Sequence, residues 1–483
     1  MSEGLCPVYR SAELFPNYTF LLTSSCELTY REFEKLVNKA YWYLKDIGIS
    51  EGDRIGILCS PSPSFLSLIF GSFRLGAAVC LLNCRFPPSL LSIVTKKLAL
   101  KNVIADREHY PQAIQIQRKV RLVKAFLLSD SNLTHSGPSY PKVMLQREAT
   151  ILTTSGSTGH PKGVMHSLHS HLFSARGSLS RLDIAAGDRY LLSLPIYHVG
   201  GLAILFRTIL SGACCVIAPS GRKIAQKIER FKVSHISLVS TQLKRLIEEQ
   251  KGLRRDLRTL KEVLLGGGPT GVKLLSTALE LGLPLRTTYG LTETASQVTS
   301  TSAERSLEEL CTAGTALPYR EVSIDERGEI LVRGPVLFKG YLPEEASSEP
   351  FDKDGWFRTG DLGKFDSKGR LAVIGRKDRM FISGGENIFP EQIEKALLEI
   401  EEVKEAAVVP VSDIEFGKRP VAFVKTEPPS FDEKKLRSFL EEFIPRYMLP
   451  VRFLPFPEGK RVGIKPCAKE LERLAEKEIG KCN

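Results

Sequence analysis

The sequence predicts an α/β protein with a large N-terminal domain of parallel-rich sheets covered by helices, a small β-subdomain and a small α+β C-terminal domain. Helix and strand patterns alternate through most of the chain, and after Ala313 they give way to paired strands. A short segment that mixes helices and strands follows Asp378. Strand–helix–strand alternation is typical of parallel sheets whose faces helices cover. We therefore predict two domains, at residues 1–377 and 378–483.

The first alternating stretch lies between Thr29 and about Asn83. Apolar residues at intervals of three and four predict helices, and short apolar runs predict buried strands. The elements predicted in this way are helices at residues 31–44 and 64–75 and strands at residues 53–58 and 77–82. The pattern returns at residues 190–218 and 236–265, which extends the parallel sheets.

Paired strands with tight turns characterise the region after Ala313. Residues 321–332 read as two strands around a turn at 325–328, and residues 370–375 form another strand. These strands constitute the predicted β-subdomain. Beyond Asp378 the predicted elements are helices at residues 390–400 and 434–443 and strands at residues 406–411 and 420–425.

Composition limits the class of protein. Of the 483 residues, 42% are hydrophobic and 25% are charged, which is ordinary for a globular protein. The net charge of +12 is compatible with a nucleic-acid or membrane partner, and equally with a site for polyanions such as ATP and coenzyme A. The sequence has no nucleic-acid-binding motif and no long block of like charges, so we predict no nucleic-acid partner.

Location and metal binding follow from what the chain lacks. The N-terminus has no basic region followed by an apolar run, and the apolar stretch at residues 65–73 is too short to span a bilayer. The ten cysteines contain no C-x-x-C pair, which predicts reduced thiols in a cytoplasmic protein. His166, His169 and His171 cluster without the partners that a zinc site requires. The sequence leaves monomer and homo-oligomer both open.

Residues 153–163 form the most informative motif, TTSGSTGHPKG. Glycines let backbone N–H groups close around an anion, hydroxyls add donors, and Lys162 adds a positive charge. Walker A spacing is absent, and Pro161 precedes the lysine. A Ser/Thr/Gly run by itself is typical of a flexible loop. The interpretation as a phosphate loop therefore depends on the motifs that follow.

Four further motifs follow in order. They are GGGPT at residues 266–270, YGLTET at 289–294, GWFRTGDLG at 355–363 and GRKD at 375–378. A glycine run after a strand lets a flat ring approach the backbone. A carboxylate beside hydroxyls suits Mg²⁺ near phosphates, and a second carboxylate suits two ribose hydroxyls. Each motif alone is common on protein surfaces, whereas the ordered set is specific.

With these motifs the chain resembles the adenylate-forming superfamily of acyl-CoA synthetases, nonribosomal-peptide adenylation domains and beetle luciferases. The resemblance runs from residues 28–30 to the C-terminus. It implies that a carboxylate attacks the α-phosphate of Mg-ATP to give acyl-AMP and pyrophosphate. A second nucleophile, usually coenzyme A, then takes the acyl group. It also implies a mobile C-terminal domain with its hinge at Asp378.

The resemblance also implies roles for particular residues. The β- and γ-phosphates should be held by the loop residues Thr154, Ser155, Gly156, Ser157, Thr158, Gly159 and Lys162. Thr292 should contact the α-phosphate, and Glu293 should bind Mg²⁺. The remaining roles are adenine binding by Tyr289, Gly267 and Gly268, ribose binding by Asp361 and Arg376, lining of the acid pocket by His198, and approach to pantetheine by residues 383–387, which include Gly384 and Gly385. Donors aimed at the charge that develops on phosphorus lower the barrier.

The catalytic lysine of the superfamily has two candidates here. Gly459-Lys460 carries the usual dipeptide, whereas Lys465 lies at the better distance from Leu471. We favour Lys465 as the catalytic lysine. A lysine in such a basic tail is, without the resemblance, typical of a solvated surface.

Two stretches bear on the identity of the acid. Residues 289–297, YGLTETASQ, and 198–207, HVGGLAILFR, are most similar to the o-succinylbenzoate–CoA ligase family of menaquinone biosynthesis. That substrate carries an aliphatic carboxylate, which is activated, and an aromatic one, which needs a polar partner. The candidates for this partner are Arg207, Ser296, Gln297 and Thr299, although Arg207 also reads as a surface arginine.

Other functions remain open at this point. The chain also fits an acyl- or aryl-CoA ligase for fatty, benzoic or coumaric acids. An amino-acid adenylation domain is disfavoured, because no acidic residue is obviously placed for an α-amine. A luciferase-like oxygenase is disfavoured by the absence of a Ser-Lys-Leu ending. The altered lysine motif keeps open a catalytically silent nucleotide-binding protein.

Overall fold

The computed structural model describes residues 3–129, 133–135, 137–155, 161–221, 223–252, 256–343, 350–457, 461–462, 465–466 and 468–480. Over these ranges the predicted α/β class, with large sheets, a β-subdomain and an α+β C-terminal part, is confirmed. No helix in them is both long enough and apolar enough to cross a membrane.

The predicted helices are confirmed, with small shifts at their ends. In the described ranges the helices are α1 (Pro7–Leu14), α2 (Tyr30–Asp46), α3 (Pro63–Leu75), α4 (Pro88–Lys97), α5 (Tyr110–Lys119), α6 (Leu168–Leu179), α7 (Val199–Ser211), α8 (Ile224–Phe231), α9 (Ser240–Gly252), α10 (Val272–Glu280), α11 (Leu307–Leu310), α12 (Pro390–Leu397), α13 (Glu433–Phe443) and α14 (Ala468–Gly480). The predictions at residues 31–44, 64–75, 390–400 and 434–443 correspond to α2, α3, α12 and α13.

The strands outnumber those predicted. In the described ranges they are β1 (Glu3–Leu5), β2 (Thr19–Leu22), β3 (Glu27–Thr29), β4 (Arg54–Leu58), β5 (Ala78–Leu81), β6 (Asn102–Ala105), β7 (Lys124–Leu127), β8 (Lys142–Met144), β9 (Glu148–Ser155), β10 (Pro161–Ser167), β11 (Arg189–Leu191), β12 (Cys214–Val216), β13 (His235–Leu238), β14 (Glu262–Leu265), β15 (Leu285–Leu291), β16 (Ser296–Ser300), β17 (Thr315–Ala316), β18 (Glu321–Ile324), β19 (Glu329–Arg333), β20 (Gly340–Leu342), β21 (Phe357–Phe365), β22 (Leu371–Arg376), β23 (Phe381–Ser383), β24 (Glu386–Ile388), β25 (Val403–Asp413), β26 (Gly417–Thr426), β27 (Arg452–Pro455), β28 (Arg461–Val462) and β29 (Lys465–Pro466).

Two large sheets dominate the N-terminal part. Within the described residues, one has the order β20-β10-β9-β5-β4-β6-β7 and the other β17-β16-β15-β14-β13-β11-β12-β2-β3. The pairs from β9 to β7 and from β15 to β2 are parallel, whereas the strands added at the edges are antiparallel. The antiparallel edges β10–β20 and β15–β16 carry most of the candidate site.

Helix α2 shows how local sequence sets these elements. Thr29 precedes the helix, and its hydroxyl accepts from the backbone N–H of Glu32, whose carboxylate accepts from the N–H of Thr29. This reciprocal capping box satisfies two amides that the helix leaves unpaired. Phe33, Val37 and Ala40 follow at helical spacing and are fully buried. They pack in the apolar core with the buried helix α3.

The β-subdomain is an antiparallel sheet of order β18-β19-β21-β22, as the paired strands predict. Its last pair places Asp361 directly opposite Arg376. The hairpin therefore brings two predicted ribose ligands together at the edge that leads to Asp378.

The C-terminal part has its own core. The long hairpin of β25 and β26 pairs in parallel with β27. One side of this sheet packs with α12 and α13, and the other packs with α14, through clusters whose residues all follow residue 380. This separate core supports a boundary near Asp378, which stays a prediction.

Polar contacts join the C-terminal part to the N-terminal part. The Glu399 carboxylate accepts hydrogen bonds from the backbone N–H groups of Val272 and Lys273 at the start of α10, the second at 2.8 Å. Lys244 Nζ donates to the Val403 carbonyl at 2.8 Å. Glu399 thus caps a helix of the other part of the chain.

Candidate active site

The described residues at the two ends of the predicted phosphate loop lie on a pair of strands. Strands β9 and β10 are antiparallel and place Thr154 opposite Lys162. Gly156, Ser157, Thr158 and Gly159 lie outside the described residues, and so does the side chain of Ser155. Strand β10 was not predicted, because its first residues read as loop. A proline is tolerated at the first residue of a strand, which explains why the hairpin can start there.

Glu293 is the predicted magnesium ligand, and it lies on the 3-10 turn Thr292–Thr294. The Tyr341 hydroxyl donates to Glu293 Oε1 at 2.9 Å, and the Phe338 N–H donates to the Glu293 carbonyl at 2.8 Å. Lys162 Nζ lies 5.3 Å from the centre of the Tyr341 ring. Burial raises the pKa of Glu293 above its usual range, although the Tyr341 hydroxyl favours the charged form. Lys162, Tyr341 and Glu293 therefore form one cluster.

His166 holds the same turn from behind. Its Nε2 donates to the Thr292 carbonyl at 2.8 Å, and its side chain is fully buried. Burial lowers the pKa of His166 to about 4, so the ring is neutral at neutral pH. Sequence reasoning placed His166 only in a histidine cluster. No local sequence pattern predicts this hydrogen bond, because 126 residues separate the donor from the acceptor.

Asp361 is held by two side chains from other strands. The Tyr289 hydroxyl donates to Asp361 Oδ2 at 2.7 Å, and Arg376 Nη1 donates to Oδ1 at 3.1 Å. Arg376 also pairs with Asp378, with Nε 3.0 Å from Oδ1. Asp361 is buried, so these donors fix its orientation. The structure thus brings together Tyr289, predicted for adenine, and the predicted ribose ligands Asp361 and Arg376.

The predicted glycines occupy two separate places. Gly267 and Gly268 follow β14, and Gly267 has φ +87°, which favours glycine. A Cβ on Gly268 would meet nothing within 4 Å, so its surface is open. Gly384 and Gly385 connect β23 to β24 at φ +56° and +89°. The Gly384 N–H donates to the Phe416 carbonyl, which keeps this hairpin within the C-terminal part.

The candidates for the acid pocket lie on α7 and β16. His198 precedes α7, and Arg207 lies near its other end. Arg207 is 1% exposed, so its interpretation as a surface arginine is wrong. Its Nη2 donates to Ser296 Oγ at 3.1 Å, and its Nη1 lies 3.4 Å from the Tyr190 hydroxyl. In the part of the chain that the structure describes, its Nε has no partner.

Strand β16 presents the other candidates. Ser296 has φ +116°, a strained conformation for a residue with a side chain, and such strain is common at functional sites. Gln297 donates from Nε2 to the Thr288 hydroxyl at 3.0 Å. The Thr299 hydroxyl donates to the Ala313 carbonyl at 2.7 Å. Ser296 therefore is the candidate that contacts Arg207 directly.

The two candidate catalytic lysines lie in a segment that the structure describes only in part. Lys460 lies outside the described residues, and so does the side chain of Lys465. The backbone of Lys465 lies in β29, opposite Val462 of β28. The choice between them stays a prediction.

The chain is similar to known proteins over most of its length. Residues 8–342 match the family described as AMP-binding enzyme, and residues 392–461 match its C-terminal domain. The 2-succinylbenzoate–CoA ligase of Bacillus licheniformis is 33% identical to this chain, over 92% of this chain and 94% of that protein.

Solved structures of an o-succinylbenzoate CoA synthetase from Bacillus subtilis are also similar. Its complex with the acyl-adenylate intermediate has a TM-score of 0.89 at 29% identity, and the match covers 98% of this chain and 99% of that one. Its complex with ATP and magnesium ion also has a TM-score of 0.89 at 29% identity, over 97% and 100% of the two chains. The predicted superfamily is confirmed: the chain belongs to the AMP-binding enzyme family, together with the 2-succinylbenzoate–CoA ligases.

Proposed function

We propose that this chain joins 2-succinylbenzoate to coenzyme A at the expense of Mg-ATP, through an acyl-AMP intermediate. The observation that supports this choice of substrate is the buried Arg207, which contacts Ser296 and has an unpartnered Nε among the described residues. A buried cation with a free donor suits an acid that brings a second carboxylate. The similarity to 2-succinylbenzoate–CoA ligases supports the same substrate.

In the first step, an oxygen of the aliphatic carboxylate attacks the α-phosphorus of ATP. A phosphorus–oxygen bond forms to give acyl-AMP, and the bond to pyrophosphate breaks. The transferring group gathers negative charge, so fixed donors and cations lower the barrier. Thr292 contacts the α-phosphate, held in place by His166, while Lys162 and the loop at residues 154–159 bind the other phosphates.

Glu293 fits the role of magnesium ligand. Mg²⁺ takes few protein oxygens and completes its shell with phosphate oxygens and water. Glu293 offers one half-buried carboxylate whose orientation the Tyr341 hydroxyl fixes. The raised pKa of this carboxylate reflects burial that a nearby cation would offset. When bound, Mg²⁺ supplies charge neutralisation to the phosphate oxygens of ATP.

The nucleoside binds beside the β-subdomain. Asp361 accepts from the ribose hydroxyls, because each of its oxygens retains acceptor capacity beyond its one protein donor. Arg376 holds Asp361 and borders the ribose. Tyr289 packs against adenine, and the open surface of Gly268 leaves room for the ring.

The acid lies between His198 and the Arg207–Ser296 pair, with Gln297 and Thr299 behind. The geometry of α7 separates His198 from Arg207 by nine residues, about 13 Å along a helix at 1.5 Å per residue. 2-Succinylbenzoate spans part of this distance, with its reacting carboxylate towards Thr292. The ring carboxylate then meets Arg207.

Arg207→Ala tests this orientation. We expect the KM for 2-succinylbenzoate to rise by about 10–100-fold, the loss typical of a charged hydrogen bond in a buried site. The KM for 4-oxo-4-phenylbutanoate, which lacks the ring carboxylate, should change little. Steady-state kinetics on both acids measures the difference, with Arg181→Ala as a control, because this arginine donates to the Thr315 hydroxyl and not to Ser296. Similar losses for both acids would remove Arg207 from substrate recognition.

In the second step, the thiol of coenzyme A attacks the acyl carbonyl and AMP leaves. The proposal assigns Lys465 to the first step and the hairpin with Gly384 and Gly385 to the pantetheine arm in the second. Both lie in the C-terminal domain, which turns about Asp378 between the steps. The separate core of this domain supports the assignment.

The direct test is pyrophosphate release with Mg-ATP, coenzyme A and a panel of acids. The panel contains 2-succinylbenzoate, benzoate, coumarate, medium-chain fatty acids and amino acids. We expect a clear preference for 2-succinylbenzoate, with its CoA thioester as the product. Preference for another acid would retain the two-step chemistry and reject the substrate. We further propose that the product serves menaquinone biosynthesis in the cytoplasm.

A further inference from the structure

Arg320 is a second buried arginine beside the acid pocket. It lies between β17 and β18 and is 6% exposed. Its Nε donates to the Pro318 carbonyl at 3.0 Å, its Nη1 to the Gln297 carbonyl, and its Nη2 to the Ser174 carbonyl at 3.3 Å. All of these acceptors are neutral. The ion pairs of the described chain include no acid that neutralises Arg320.

The surrounding backbone accommodates this side chain at some cost. Tyr319, directly before it, has φ +68°, a strained value for a residue other than glycine. Gly177 of α6 faces the guanidinium, and a Cβ at that position would lie 1.9 Å from Arg320 Nη2. A glycine inside a helix is itself unfavourable. Two unfavourable features, the helical glycine at position 177 and the positive φ of Tyr319, therefore accompany the burial of Arg320.

Arg320 and Arg207 hold neighbouring residues of one strand. Arg207 donates to the side chain of Ser296, and Arg320 donates to the backbone of Gln297. Burial, together with the charge of Arg207, lowers the pKa of Arg320 to about 9, which leaves it charged at neutral pH. Two buried cations without an acid are unfavourable unless an anion binds near them.

We infer that Arg320 is a specificity-determining residue, a second fixed positive charge behind Gln297 that favours acids with a second carboxylate. This inference rests on the proposed function. Arg320 acts through its charge and through β16, since its N–H groups are bound to carbonyls. Arg207 makes the direct contact, and Arg320 strengthens the field in which that contact forms. In the empty protein the two charges repel, and the bound carboxylate relieves the repulsion.

Arg320→Gln tests the inference, because glutamine still donates to a carbonyl but carries no charge. We expect the KM for 2-succinylbenzoate to rise about tenfold, a size consistent with one charge–charge interaction in a protein interior. The KM for 4-oxo-4-phenylbutanoate and for ATP should stay within about twofold, and kcat should change little. Arg320→Lys should recover most of the loss. Arg181→Gln, which removes an arginine bound to the Thr315 hydroxyl, is the matched control.

Each outcome is decisive. Equal increases in KM for both acids would mean that Arg320 only supports the structure, and would overturn the inference. A wild-type protein that does not distinguish the two acids would overturn the proposed function and this inference together. If Arg320→Gln does not fold, Gly177→Ala displaces the guanidinium while keeping its charge. That variant should also raise the KM for 2-succinylbenzoate more than the KM for 4-oxo-4-phenylbutanoate. An equal effect on both acids would count against the inference.

Discussion

Replacing Glu293 with Gln is expected to reduce acyl-AMP formation by about 10²–10³-fold, the loss typical when one group that stabilises transition-state charge is removed. The amide keeps an oxygen that accepts from the Tyr341 hydroxyl, so the turn should stay in place. The missing charge weakens magnesium binding beside the phosphates. Pyrophosphate release measured across a magnesium titration should show a higher half-saturating concentration as well as a lower maximum.

Tyr341→Phe is the matched control for this variant. It removes the hydrogen bond to Glu293 and leaves the carboxylate. We therefore expect the rate of acyl-AMP formation to fall by no more than about tenfold, which corresponds to the loss of one hydrogen bond from a neutral donor. Unchanged magnesium dependence in Glu293→Gln would contradict the assignment of Glu293 as the ligand. A larger effect in Tyr341→Phe than in Glu293→Gln would shift the assignment to the geometry of the turn.

Lys465→Ala is expected to separate the two half-reactions. In its proposed role the lysine stabilises charge only while phosphorus is attacked, so adenylation should fall by about 10²–10³-fold. Transfer from supplied acyl-AMP to coenzyme A should stay close to the wild-type rate. Single-turnover assays of each half-reaction measure this separation.

Lys460→Ala provides the internal control, because it removes a positive charge five residues away in the same segment. It should leave both half-reactions nearly unchanged. If Lys460→Ala loses adenylation and Lys465→Ala does not, the assignment is reversed. Equal loss of both half-reactions in Lys465→Ala would show that the residue supports the domain as a whole.

Local patterns predicted the elements well because short-range forces decide them. The helix predicted at residues 31–44 is Tyr30–Asp46, and a capping box at Thr29 marks its start. Turn glycines and strand alternation likewise predicted the β18–β19 hairpin. The resemblance to a family placed Asp361 and Arg376 together, and the register of β21 and β22 brings them into contact.

Contacts between distant segments were not predictable in the same way. Tyr341 binds Glu293 only because β20 adds to the edge of the sheet beside β10, which no local pattern indicates. Arg320 follows a turn, where charge is typical of a solvated surface. Its burial depends on a glycine in α6, 143 positions earlier (residue 320 against residue 177). Such pairs need the tertiary structure.

The cap that Glu399 places on helix α10 joins the C-terminal part to the N-terminal part in the orientation of this structure. A charged hydrogen bond to backbone amides contributes about 1.5–3 kcal/mol, which is comparable to the differences that separate conformers populated together. Dissolved sulfate or phosphate can occupy the same helix terminus once Glu399 withdraws. In the proposed cycle with two domain orientations, sulfate, phosphate and ionic strength should therefore shift the relative rates of adenylation and thioester formation.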